Sequence, residues 1–195
     1  MQPRLGSVVV LGSLLACAGG AAWMAYGRWS HPLVIAADAM AHRDPALALA
    51  AYDLGENRFR RFSVARWVLR ADYARLTHNQ LALLYRTGQY DLVIEKAGSA
   101  PAGADPHFWA ACALFAKSAE EETAEAKLAW LTRAEEAFKR ALARTPDDWD
   151  AKYNYELSAR LAASLRREPQ KGPSLVMPLL RPQPKAGRQP VKKVG

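Results

Sequence analysis

Residues 5–26 carry no charge: LGSVVVLGSLLACAGGAAWMAY lies between Arg4 and Arg28. At about 1.5 Å of rise per residue, a helix of this length crosses a hydrocarbon layer of roughly 30 Å. Trp23, Tyr26 and Trp29 gather at its distal end, where amphipathic rings favour the membrane interface. The run predicts a single-span signal anchor over residues 1–28, with the rest of the chain hung from its carboxyl end.

Two other readings of this segment stay open. Leu14-Leu15-Ala16-Cys17 has the outline of a bacterial lipoprotein cleavage site, although the apolar run continues past Cys17 instead of turning polar. A cleaved signal peptide is the other, against which the AGGAA stretch ends in bulky aromatic residues with no clear release site. The positive-inside count is nearly tied, with the amino terminus and Arg4 on one side and Arg28 and Arg43 on the other. A four-residue leader before an apolar run has the shape of an N-in anchor, which puts the body outside the cytoplasm.

The net charge of +8 is concentrated at the carboxyl end. Residues 169–195 hold six basic residues (Lys171, Arg181, Lys185, Arg188, Lys192, Lys193) and no acid, so the remaining chain balances 21 basic against 19 acidic residues. The basicity describes a tail, and nucleic-acid binding by the body is not expected. Six of the twelve prolines also fall in the last 28 residues, which predicts a disordered, Pro-rich basic tail over 168–195. Within it the apolar residues Leu175, Val176, Met177, Leu179 and Leu180 form a candidate docking segment, either on a partner or back on the body.

Between anchor and tail, residues 29–167 read as one all-α domain. A helix is predicted over 33–42, then Asp44-Pro45 opens a second that Gly55 closes. In the arginine-rich stretch 58–76, Phe62, Ala65, Leu69, Tyr73 and Leu76 recur at helical spacing; Arg60, Arg61, Arg66 and Arg70 read as a solvated face or a partner patch. Next come helices over 81–86 and 91–97 around Gly88, with Tyr90 and Ile94 packed between them. Asp105-Pro106 opens another helix through Lys117, and Ser118 with Glu121 has the capping-box pattern for the one after it.

In that next helix Ala134, Phe138, Ala141 and Pro146 have the spacing of the small, aromatic, small and proline positions of a tetratricopeptide repeat. Asp147 or Asp148 caps a last helix, which covers the end of the stack. The predicted body is therefore an antiparallel helical-hairpin, tetratricopeptide-like right-handed stack, with an ordinary helical bundle as the alternative.

The stretch PDDWDAKYNYELSARL, residues 146–161, together with the anchor, the small repeat-like body and the basic tail, resembles the MxaK family of methanol dehydrogenase accessory proteins. A related signature occurs in repeat proteins that accompany von Willebrand factor A domains in bacterial envelope operons. The resemblance implies a non-enzymatic role in maturation of a periplasmic quinoprotein methanol dehydrogenase, with calcium loading as the step served. Von Willebrand factor A proteins and an AAA ATPase are the implied partners, and the bacterial inner membrane the implied location. A structural membrane tether with a lipid-binding tail is the second reading.

No motif for chemistry accompanies this. His31, His42, His78 and His107 stand apart, with no HExxH and no pair one helical turn apart; no Gly-rich phosphate loop appears, and residues 147–150 lack the glycine and spacing of a calcium loop. No cofactor is expected. Cys17 and Cys112 are not expected to pair. Trp109, Phe115, Trp130 and Phe138 read as core. Arg86 and Asn154 are the candidate groove residues, because Asn and basic side chains on the first helix of a peptide-binding repeat hold a ligand's backbone or carboxylate.

Overall fold

A computed structural model of the protein describes residues 5–167. Among them every regular element is helical: α1 (Leu5–Ala41), α2 (Pro45–Arg61), α3 (Ser63–Val68), α4 (Arg70–Arg86), α5 (Tyr90–Ala97), a 3-10 turn (Ala102–Ala104), α6 (Pro106–Glu120), α7 (Ala124–Arg144) and α8 (Trp149–Arg167). The tail, with the docking segment expected at Leu175, Met177, Leu179 and Leu180, lies outside the described residues.

The predicted anchor and the predicted first body helix form one rod. No break separates residue 28 from residue 33, and Pro32 sits inside α1. A helical proline removes the N–H that would reach the carbonyl four residues back, here that of Arg28. Arg58 replaces it, its Nη1 donating to the Arg28 carbonyl oxygen at 2.6 Å. α1 is long and apolar enough to cross a membrane. Its residues 9–28 are exposed, whereas from Trp29 onward it packs, with Pro32, Ala36 and Ala39 buried.

Asp44 starts α2 as expected, its Oδ1 accepting from the Leu47 N–H at 2.9 Å. Gly55 does not close this helix; it lies buried in the middle of it. A Cβ there would stand 3.3 Å from the Cβ of Pro32 and collide with the end of Leu76, so the bare glycine lets α2 nest between α1 and α4. Gly55→Val should therefore cost about 1–3 kcal/mol by overpacking. Chemical denaturation of the full chain in detergent measures this, and an unchanged midpoint would refute the close approach.

The arginine-rich stretch is not one helix. The chain is extended at Phe62 (φ −126°, ψ 95°), makes the six-residue α3, and restarts at Leu69, whose carbonyl accepts from the Tyr73 N–H. Phe62 turns its ring edge to Trp29 at 5.8 Å between centroids, and Trp29 also stacks on the buried Phe59 at 5.1 Å. At Gly88 the backbone takes φ +74°, the left-handed turn that glycine adopts without strain, and α5 follows. Tyr90 and Ile94 pack beside Leu81, Leu84 and Val93, as the pattern predicts.

A polar clamp holds α5 to α2. Lys96 Nζ lies 2.6 Å from Glu56 Oε2 and 3.2 Å from Asp53 Oδ1, and Gln80 Nε2 donates to the same Asp53 oxygen at 2.7 Å. Burial lowers the Lys96 pKa, but its bonds to Glu56 and then Asp53 outweigh that and hold it above the usual 10.5. A raised lysine contributes stability that is complete below its unfolded pKa and is lost as pH rises through the folded one. Lys96→Met should cost about 1–2 kcal/mol at neutral pH, the loss of a partly solvated charged bond. It should also flatten the alkaline limb of the stability curve above about pH 10. A variant as stable as the parent, with the same alkaline limb, would refute the clamp.

From α6 onward the helices pack antiparallel. Phe108 meets Phe138 and Lys117 lies over Trp130, which fixes the register of α6 on α7; Lys139 over Tyr155 and Arg166 against Thr132 do the same for α7 on α8. Ala134, Phe138 and Ala141 are buried as predicted, with Trp130 and Phe115 half-buried around them. The capping box is not made. Ser118 remains inside α6, which runs on to Glu120, and donates to the Phe115 carbonyl; Thr123 caps α7 instead, accepting from the Ala126 N–H at 3.2 Å. Glu121 accepts from Trp130 Nε1 at 2.7 Å, which fixes that ring.

Candidate functional site

The last helix presents the most distinctive surface of the body. Asp148 Oδ1 accepts from the Ala151 N–H at 3.0 Å and so sets the first turn of α8. Ala151, Ser158 and Ala162 then face inward and are buried, and Ser158 Oγ satisfies itself on the Asn154 carbonyl at 2.7 Å. Small residues on that face let α8 lie close on α7. The opposite face carries Trp149 and Tyr153, one helical turn apart and 78% and 69% exposed. Lys152 Nζ sits 4.8 Å from the Trp149 ring centroid, a cation–π contact that leaves the ring open to solvent.

Beside this helix, a cleft of about 310 Å³ opens between the start of α6 and the end of α7. Its polar wall is mixed in charge: Asp105, His107, Arg144, Thr145 and Asp148. Burial, then the charges of Arg144 and Arg140, lowers the His107 pKa, so its imidazole is neutral at pH 7. Phe108 and Ala141 supply the apolar floor. Such a wall offers hydrogen-bond donors and acceptors to a peptide-like ligand. Cys112 is buried, and burial pushes its thiol up to about 12, with Asp148 and Asp150 adding to the shift; it is an inert core residue. Among the described residues no three His, Cys, Asp or Glu side chains gather as a metal site.

No family model, curated protein or solved structure matches the chain. The functional reading therefore rests on the surfaces themselves and on the sequence.

Arg86 and Asn154, the groove residues expected from sequence, occupy different parts of the body. Arg86 ends α4 and is exposed; Asn154 is half-buried on α8, one residue from Tyr153. Among the described residues no hydrogen bond or ion pair joins them, and neither lines the cleft. Sequence reasoning passed over Trp149 and Tyr153. The signal was present: once Ala151, Tyr155, Ser158 and Ala162 are assigned to the packed face, two aromatics at i and i+4 are left on the outer one. His78 accepts from Trp109 Nε1 at 3.3 Å, so this histidine orients a core ring.

Proposed function

We propose that this chain is a membrane-anchored interaction scaffold that assists maturation of a periplasmic quinoprotein methanol dehydrogenase, at the step of calcium loading. The observation that carries the scaffold reading is the exposed Trp149 and Tyr153 pair on the outer face of α8. A helix that merely closes a stack turns a polar face outward, whereas aromatic side chains are the usual anchors of protein interfaces. The pathway is supported by the resemblance of residues 146–161 to the MxaK family, and Trp149 and Tyr153 fall within that stretch. Partners are then von Willebrand factor A domain proteins and an AAA ATPase, with Arg86, Asn154 and the tail segment around Leu175 and Met177 as further contact points.

The tetratricopeptide-like, right-handed arrangement belongs to the same proposal. Its supports are the antiparallel registers of α6, α7 and α8, the left-handed Gly88 turn, and the buried Ala134, Phe138 and Ala141. Inner-membrane location is supported by the apolar α1, and the periplasmic side of the body is part of the same proposal.

Deleting the gene should leave the dehydrogenase polypeptides present but inactive, with activity partly restored by high calcium. Normal growth on methanol in the deletion strain would refute the reading. The six basic tail residues favour a second reading, a tether whose tail binds anionic lipid on the cytoplasmic side. A reporter active only outside the cytoplasm, fused after Gly195, separates the two: activity supports the scaffold, silence the tether.

A further inference from the structure

No residue of α3 is fully buried, and Ala65 alone packs, half-buried, against the core. Val64, Trp67 and Val68 share one helical face and are 71%, 79% and 60% exposed, and Phe62 just before them is 58% exposed. Arg61 and Arg70 flank this segment at the adjoining helix ends, whereas Arg66 lies on the other side of α3, toward Tyr73; among the described residues neither Arg61 nor Arg70 has an acidic side chain within salt-bridge distance. The nearest acids are already engaged or off the face: Glu56 pairs with Lys96 and Arg60, and Asp72 lies in the first turn of α4. A bulky apolar face with arginines at its two ends is costly in water and fits an anionic lipid interface, where rings sit at headgroup depth and guanidinium groups meet phosphates.

The position of α3 specifies that partner. α1 leaves its exposed, uncharged stretch at Arg28 and Trp29. α2 runs back antiparallel to it, so Arg58 reaches the Arg28 carbonyl and Phe62 meets Trp29. α3 follows directly, and α4 then leads away again. The exposed apolar turn thus follows directly on Phe62, which is level with Trp29, where the exposed stretch of α1 ends.

We propose that α3 is a second membrane contact: Phe62, Val64, Trp67 and Val68 enter the interfacial layer of the bilayer that α1 crosses, and Arg61 and Arg70 bind anionic phospholipid headgroups. This rests on the reading of α1 as a membrane span and adds a docked orientation to it.

The full chain, reconstituted into phosphatidylcholine vesicles with or without phosphatidylglycerol, tests this with lipid brominated on its acyl chains. Trp67→Phe isolates the Trp67 signal by difference; the side chain is exposed, so the fold is not at issue. Trp67 fluorescence should be blue-shifted and quenched by brominated lipid to a fraction like that of Trp23, isolated in the same way. The quenching should deepen with phosphatidylglycerol, and lose that dependence when Arg61 and Arg70 are both changed to Gln. Chain that floats with the vesicles while Trp67 is quenched by aqueous iodide instead would overturn the proposal and leave the anchor standing. Shielding from both quenchers would overturn it in favour of a second copy or another protein on α3. Failure to float after carbonate washing would remove the anchor and the proposal together.

Discussion

Phe138→Ala should destabilise the body by about 3–5 kcal/mol, the usual cost of emptying a buried aromatic site. Phe138 is 1% exposed and lies at the centre of a cluster formed by Ala111, Cys112, Leu114, Ala134 and Ala137, with its ring edge toward Phe108 at 6.3 Å between centroids. Its neighbours sit on helices whose registers are fixed on both sides, so they collapse little into the space. A domain of this kind has about 5–15 kcal/mol in total, so the loss should lower the melting temperature by roughly 10 °C or more. Phe138→Leu keeps most of the volume and should cost clearly less. Thermal denaturation of the full chain in detergent, followed by near-ultraviolet circular dichroism, reads both variants; a loss below about 1 kcal/mol for the alanine would contradict this packing.

Changing Trp149 and Tyr153 together to alanine should leave the melting temperature within about 2 °C of the parent, because substitutions at exposed sites cost little. The same double variant should weaken capture of the proposed von Willebrand factor A partner by at least about 30-fold, the equivalent of losing one strong aromatic anchor of 2 kcal/mol. In cells it should reproduce the deletion phenotype with the protein still present at normal abundance. Capture unchanged within about twofold would show that the aromatic face of α8 is not the interface and would redirect attention to the mixed-charge cleft around His107 and Arg144.

Local signals in this chain were readable wherever one residue type has one physical use. Asp44-Pro45 and Asp148 begin helices because a carboxylate there satisfies free N–H groups, and Gly88 turns the chain at positive φ because nothing opposes it. Ala134, Phe138 and Ala141 were readable as core because their spacing leaves no other face. What failed were signals that tertiary contacts override. The anchor over 1–28 and the helix over 33–42 read as two elements until Arg58, 26 positions after Pro32, supplies the donor that the proline lacks. Gly55 looks like a terminator until Pro32 and Leu76 are placed against it. Ser118 and Glu121 have the right spacing for a cap, yet Trp130 takes the Glu121 carboxylate first. The candidate site was legible only in outline, since Asn154 points to the right helix while the exposure of its neighbours depends on which face α7 covers.

Because α1 runs unbroken from its exposed stretch into the body, the body would stand on a mast wherever that stretch crosses a membrane. Residues 29–41 rise about 20 Å at 1.5 Å per residue, and the bond from Arg58 to the Arg28 carbonyl stiffens the one position where a proline would let the rod bend. A domain on a flexible linker explores a hemisphere above the bilayer and presents every face in turn. A domain on a mast keeps one altitude and turns only about the bilayer normal. An encounter with a partner held in the same membrane then becomes a search in a plane with a single angle to match, which raises the effective concentration of correctly aligned surfaces with no added contact.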